Sequence, residues 1–490
     1  MEKKIAVIGA GFGGLTSACL LAKKGYDVTL IEKNETLGGR ARLLKKKGFK
    51  FDMGPSWYLM PDTINDIFKI LGTTANKELK LKRLDPHYKM FFEDENVCIY
   101  KDMEKNYQLF ERLEPGITSK IKKYLQDAKY KYDVSLEYFI EKPYLKITDL
   151  INYQALKKSK KLDVFKSFQT YLDKEFKSDK IKKILGYTMV FLGGSPKNTP
   201  ALYSLMSHGD FELGVYYPYG GMNALAKALE KQAKKLNVKI KKNTEIKKIL
   251  VENKQATYIK TSNQKLKFDK VVVNADYAYA ETNLLEKKHQ TYTSKYWSKK
   301  TIAPSAFIIY LGVNKKLNNL EHHNLVIAND WMKHFNEIFE KPTWPKKPSY
   351  YVCCPSKTEK ETAPKGCENL FILMPVAAGI KDDEKTRQKY AEILIADLEN
   401  KIGQKFQENI IVKEIYSHKN FKEDYNAYKG TALGLAQTLF QTALFRPKHK
   451  SKKIKNLYYV GQYTNPGIGV PITMLSAKML TKLICEEDNE

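Results

Sequence analysis

A turn of glycines near the start of the chain constrains everything that follows. Residues 3–40 read KKIAVIGAGFGGLTSACLLAKKGYDVTLIEKNETLGGRAR. Ile5, Val7 and Ile8 form the short apolar run that a parallel strand buried on both faces requires. Gly9, Gly11 and Gly14 then place G-x-G-x-x-G where that strand turns into a helix. Gly9 permits the tight turn, Gly11 lets the main chain approach a pyrophosphate, and Gly14 lets helix and strand pack closely. The helix carries Leu15, Ala18 and Ala22 on one face and stops at Gly25. A second strand, Val28 to Ile31, delivers Glu32, whose carboxylate can accept hydrogen bonds from a ribose diol. Strand, helix, strand and acidic end in this order predict a dinucleotide site.

Leu37-Gly38-Gly39-Arg40 narrows the choice of dinucleotide. Two glycines and an arginine just past the second strand bring more N–H groups, and one cation, to the same phosphates. A plain glycine loop with a solvated arginine is the alternative. The arrangement resembles flavoproteins in which FAD lies extended along the domain, and a nicotinamide enzyme would not need the second glycine loop. FAD is the expected cofactor.

With 490 residues the chain is long enough for two or more domains. The dinucleotide pattern is discontinuous. It occupies 1–77 and returns at 213–279, where Tyr219-Gly220-Gly221-Met222 opens a helix bearing Leu225, Ala228, Leu229 and Leu236. Strands at Val238–Ile240, Ile246–Val251 and Phe268–Ala275 follow. It closes at 451–490 with a strand, a glycine loop and a helix whose N-terminus can stabilise an anion, plain helix–strand packing being the alternative. Between these lie 78–212, lysine- and tyrosine-rich and read as a mostly helical insertion broken by Pro143 and Pro196, and 280–450, read as a sheet with flanking helices. The expected class is therefore α/β: a Rossmann-like FAD-binding domain with a parallel sheet, plus an α+β substrate domain with a helical, membrane-facing insertion.

Charge bears on partners. Lys and Arg number 84 against 55 Asp and Glu, a formal +29. Such an excess attracts anionic surfaces. No nucleic-acid-binding pattern accompanies it, so a membrane surface is expected and nucleic acid is not; a solvated, lysine-biased surface is the alternative. No run of 18 apolar residues offers a spanning helix. The apolar N-terminus imitates a secretion signal, but its glycines belong to the nucleotide turn. The expectation is a cytoplasmic protein, peripheral on the cytoplasmic face of the membrane. Six cysteines show no C-x-x-C, and Cys353-Cys354 should point to opposite sides of a strand. His322-His323 is the only histidine pair and lacks further ligands at metal spacing, so no metal is expected.

GAGFGGL with Glu32, LGGRAR, FDMGPSW, FLGGSP, YPYGGM and the closing VGQYTNPGIGVP, in this order, resemble bacterial-type phytoene desaturases of the carotenoid desaturase family. The likeness covers essentially the whole chain, with FDMGPSWY, DWMKHF and WPKKPSYY most similar to flavobacterial, lycopene-forming members. It implies an FAD enzyme converting 15-cis-phytoene to lycopene on the membrane, with quinone or oxygen taking the electrons. By position it assigns FAD binding to Gly9, Gly11, Gly13, Gly14, Glu32, Lys33, Gly38, Gly39, Arg40, Pro55, Ser56, Ile246, Gly461, Gln462, Ile468, Pro471, Ile472, Thr473 and Met474. The uncharged strip 187–192 and its surroundings supply substrate-wall candidates Met189, Phe191, Leu192 and Tyr203, with plain core the alternative. Gln462-Tyr463-Thr464-Asn465 departs from the small residues and histidine that most relatives carry there. No catalytic residue announces itself, as suits a reaction in which an allylic cation needs only a weak base. Other readings are desaturation of a hydroxylated or C30 carotenoid, carotene isomerisation and amine oxidation.

Overall fold

The computed structural model describes residues 3–140 and 161–489. Its first unit is β1 (Lys4–Ile8), α1 (Phe12–Lys23) and β2 (Asp27–Ile31). The two strands are parallel, with Ile5 opposite Val28 and Ile8 opposite Ile31. Three distant stretches complete a five-stranded sheet in the order Leu457–Tyr459, Lys270–Val273, β1, β2, Lys239–Lys241. Every neighbouring pair is parallel. Such a sheet must be covered on both faces. On one, Leu15 of α1, Leu225 of the helix Met222–Lys235 and Leu480 of the helix Val470–Asn489 share a core. On the other, Ile8, Val271, Tyr277 and Trp297 pack with Ile249 and Ile259 of a small antiparallel sheet. This is the Rossmann-like unit that the glycine turn predicts.

The second unit is a seven-stranded sheet in the order Ile410–Tyr416, Ser305–Val313, Glu368–Val376, Tyr350–Cys353, His323–Val326, Tyr88–Phe91, Asn96–Ile99. Its long central pair is antiparallel, Ser305 opposite Val376 and Val313 opposite Glu368. The helix Glu384–Ile402 lays Leu394, Ile395 and Leu398 against the back of the sheet. Ile308, Tyr351 and Phe371 point the other way, towards the first unit. Cys353 and Cys354 fall in these two different cores, as alternation along a strand requires.

Residues 78–212, read as a mostly helical insertion, also carry strands that the reading did not include. This stretch opens with three strands, Leu81–Arg83, Tyr88–Phe91 and Asn96–Ile99, and the last two extend the substrate sheet. Tyr88–Phe91 runs parallel to His323–Val326, a long-range pairing that local periodicity does not signal. Beyond them the described chain is helical, at Met103–Leu113, Thr118–Val134, Phe168–Glu175 and Asp179–Gly186. Pro143, expected to break this insertion, lies outside the described residues. Among the described residues no helix is long and apolar enough to cross a membrane.

Candidate active site

One cavity of about 1590 Å³ runs between the two units, from the glycine loops to the face of the seven-stranded sheet. Its volume exceeds the several hundred Å³ usual for a small-molecule site, so it can hold a dinucleotide and a second long ligand.

The glycine loops build one end. Gly9 adopts a positive φ of 94° and donates to the Ile31 carbonyl at 2.8 Å, ending β1 in the turn. A Cβ at Gly14 would run into the Gly9 carbonyl oxygen, so Gly14 serves packing of α1 on β1 and does not line the cavity. Gly11 caps α1 with no side-chain partner, leaving first-turn N–H groups for an anion. Gly38 N donates to the Ala10 carbonyl at 2.8 Å, locking the second glycine loop onto the first. Glu32 is buried beside them. Its Oε2 accepts from Ala10 N at 2.7 Å and its Oε1 from Asn34 N at 2.9 Å, which fixes the carboxylate at the cavity wall.

Arg40 donates from Nη2 to the Thr431 carbonyl at 3.3 Å and lies 5.0 Å from the Tyr425 ring centre. Its Nε is buried without a partner among the described residues. An orphaned guanidinium donor on the wall of this cavity fits a bound phosphate. The C-terminal loop closes the same end. Gly461, Gly467 and Gly469 all have positive φ, of 108°, 135° and 124°, and deliver the chain to the N-terminus of the helix Val470–Asn489.

The far end is apolar. Trp57 lies at its centre, with ring centres 5.5 Å from Phe191, 6.0 Å from Tyr187 and 5.7 Å from Tyr351. Leu325, Trp331, Phe335, Ile338 and Phe371 continue the wall. Behind it, Asp210 Oδ2 accepts from Tyr88 OH at 2.8 Å and from Tyr187 OH at 3.0 Å. Desolvation pushes the Asp210 carboxyl up to about 7, against the pull of those two donors.

A model of the family described as flavin containing amine oxidoreductase matches residues 12–480. The chain is 42% identical over 486 residues to a carotenoid 3,4-desaturase of Haloarcula japonica, covering 99% of this chain and 98% of that one. It is 33% identical over 489 residues to a 4,4'-diapophytoene desaturase (4,4'-diaponeurosporene-forming) of Staphylococcus aureus, covering 97% of each. The chain belongs to the carotenoid desaturase family of flavoenzymes. An oxidoreductase from Methanosarcina mazei shares the fold, with a TM-score of 0.64 at 18% identity over 98% of this chain and 100% of that one.

In this member of the flavoenzyme family the residues present fit a flavin dinucleotide: a glycine cradle, a helix N-terminus with no side-chain cap, a fixed carboxylate and a guanidinium whose Nε is left over for a phosphate. Of the residues expected to hold it, Gly9, Gly11, Gly13, Glu32, Lys33, Gly38, Gly39, Arg40, Pro55, Ser56 and Ile246 line the cavity, as do Gly461, Gln462, Ile468, Pro471, Ile472 and Thr473. Met474 does not. It is buried beneath the C-terminal helix, against α1 and the parallel sheet. Of the substrate candidates, Phe191, Leu192 and Tyr203 line the cavity, whereas Met189 turns into the core behind it. The helical turn Tyr187–Leu192 sends Tyr187, Val190, Phe191 and Leu192 to the cavity and Met189 to the core, so one uncharged strip supplies both wall and core.

Two residues of the flavin end escape a reading of motifs. Asn274, just past the strand Lys270–Val273, wedges between the loops, its Nδ2 donating to the Gly9 carbonyl at 3.2 Å. A Cβ on Gly13 or Gly461 would approach Asn274 Oδ1 to 2.5 or 2.9 Å. Arg446 is buried and donates to the carbonyls of Leu435, Gln441, Gln462 and Thr464, bracing the loop that carries Gln462. Burial pulls its guanidinium down to about 10. The only sequence signal was an arginine in a segment otherwise poor in charge, 431–447. Spacing also missed that Cys353 reaches the His322–His323 pair from the adjacent strand, which corrects the expectation that this pair lacks further ligands.

Proposed function

We propose that the chain is an FAD-dependent carotenoid desaturase, and that its reaction is the conversion of 15-cis-phytoene to lycopene by successive dehydrogenations. The observation that carries the reading is the continuity of one cavity from the glycine cradle to the aromatic wall around Trp57. A hydrocarbon chain offers no polar handle, so a wall of rings and aliphatic side chains can select it only by length and shape.

Bound FAD would supply the hydride acceptor. The chain's own residues do the rest. Gly11, Gly13 and Gly39 admit the pyrophosphate, Arg40 neutralises it, and Glu32 takes the ribose hydroxyls. Trp57, Phe191 and Tyr351 hold the polyene in line and exclude water. Tyr187 lies on the wall with Asp210 behind it, so a proton lost from the substrate can pass through the Tyr187 hydroxyl to Asp210 Oδ2. A carboxyl held near 7 can accept and return that proton at neutral pH.

The same reading places the protein in the cytoplasm, peripheral on the membrane from which it draws carotene, with quinone or oxygen as terminal acceptor. The lysine excess and an apolar rim at the cavity mouth support it. Phe165 and Phe445 line that mouth and are 92% and 57% exposed.

Expression in a phytoene-accumulating bacterium, followed by pigment extraction, tests the reaction. Red cells containing lycopene are the expected result. Colourless cells making flavin-loaded protein would exclude phytoene. The 42% likeness to a 3,4-desaturase favours a second reading, introduction of a 3,4 double bond into a carotenoid already conjugated. Parallel strains that accumulate lycopene, its hydroxylated derivatives or 4,4'-diapophytoene separate these outcomes by product mass and absorption.

A further inference from the structure

The seven-stranded sheet gathers three side chains that desaturation does not use. His323 begins the strand His323–Val326 and lies directly opposite Cys353 on its neighbour, so the two side chains share a face. His322 precedes it, its carbonyl held by Cys354 N at 2.8 Å. The two imidazoles are 4.5 Å apart between centres and inclined at 76°. One ligand atom from each of His322, His323 and Cys353 lies within 4.8 Å of the other two, and all three residues are buried.

Both rings are already oriented through Nδ1. His322 Nδ1 is 2.7 Å from Thr358 Oγ1, and His323 Nδ1 is 2.6 Å from Tyr351 OH. Tyr351 OH is in turn 2.8 Å from Ser56 Oγ, while the His323 ring stacks on Trp57 at 4.1 Å. That leaves Nε2 of each histidine, and both Nε2 atoms are buried with no partner among the described residues. Neither tautomer removes the difficulty. A protonated Nε2 lacks an acceptor, and a bare Nε2 lacks a donor.

We propose that His322 Nε2, His323 Nε2 and the Cys353 thiolate form a metal site suited to Zn²⁺. Two imidazoles and a thiolate select a borderline-soft ion over magnesium or calcium, which take oxygen donors. Thr358 and Tyr351 are the outer partners that fix each ring, the arrangement metal-binding histidines use. Binding expels the Cys353 thiol proton to solvent, and the thiolate sulfur donates its electron pair to the ion, with no change in oxidation state. Trp57 and Tyr351 stand between the ion and the substrate cavity. The ion's part is therefore structural: it clamps the two strands and the Thr358 loop behind the wall that carries Trp57.

The test uses the full-length, flavin-loaded protein with its purification tag removed. Elemental analysis after incubation with zinc and gel filtration should give about one zinc per chain, a water completing the tetrahedron that the three protein ligands leave open. Cys353→Ser and His322→Asn should each lower that content by about tenfold or more. Chelation should lower the melting temperature of the wild type reversibly and leave the variants unmoved. Replacement by Co²⁺ should add a thiolate-to-metal absorption band, which decides the matter on the wild type alone if the variants fail to fold. Wild-type protein that holds no zinc after loading, zinc retained undiminished by both variants, or cobalt bound without a thiolate band would each overturn the site. In the first case a buried water is what satisfies the two nitrogens.

Discussion

At Gly11 the φ of −72° is open to any residue, so what excludes a side chain there is space alone. A Cβ would stand 3.1 Å from Asn274 Nδ2, and further atoms would enter the path of the pyrophosphate. Gly11→Val should therefore fold and lose its flavin, read as melting temperature and visible absorbance on the same sample. Full flavin content in that variant would remove the cradle from the cofactor site. Asp210 makes a different kind of prediction. Its carboxyl is lifted from 3.8 to about 7 by desolvation. The folded state thus keeps a proton that the unfolded chain releases, so the stability from this group is fully present below about 4 and is lost as pH rises towards about 7. Buried histidines work oppositely: His334, drawn down to about 4 by burial, costs stability as pH falls from 6.5. Comparing Asp210→Asn with wild type cancels the histidines. The wild type should gain on the variant as pH is lowered from about 8 to about 5, by a few degrees in melting temperature. If Asp210 also receives the substrate proton, the variant should bind flavin normally and turn over about a hundredfold more slowly. A wild-type rate would leave the carboxyl with a purely structural part.

Elements differ in how plainly the chain declares them. The helix Met222–Lys235 was legible because Leu225, Ala228 and Leu229 recur at helical spacing after Gly220-Gly221. What holds its N-terminus was not legible. Asp52, from the strand Phe49–Asp52, accepts from Met222 N at 2.9 Å and Asn223 N at 3.1 Å, a cap supplied from far away in the chain. Asp52→Ala should cost about 1–2 kcal/mol, seen as a lower denaturant midpoint with an unchanged slope. No loss would mean that solvent replaces the cap freely. In the dinucleotide sheet, β1, β2 and Lys270–Val273 could be read because each carries a largely apolar run, the first of them leading into the glycine turn. Tyr88–Phe91 and Asn96–Ile99 could not, since each is four residues long and gains strand character only by pairing at the edge of a sheet built from the other half of the chain. The same limit applied within the site. Motifs pointed to Gly38 and Gly39, but Asn274 and Arg446 act through loops that only the fold brings together.

For the whole molecule, the order of motifs along the chain announced a discontinuous cofactor unit, while the position of the cavity mouth depended on tertiary packing. That mouth carries an unusual surface. Phe165 is 92% exposed, Phe440 71% and Phe445 57%, and the rings of Phe440 and Phe445 lie 6.0 Å apart. In the proposed membrane association, aromatic side chains left in water at the entrance to an apolar cavity would gain by entering the interfacial layer of a bilayer, and the net charge of +29 would attract anionic headgroups. Each basic residue near such a surface contributes about 1 kcal/mol, a contribution that salt screens within a Debye length. Co-sedimentation should therefore be stronger with anionic than with neutral liposomes and should weaken as salt rises. Ring burial is much less sensitive to salt, so replacing Phe165, Phe440 and Phe445 together by serine should abolish the binding that persists at high salt while the flavin stays bound. If the triple variant sedimented like the wild type under every condition, the rings would have no part in docking.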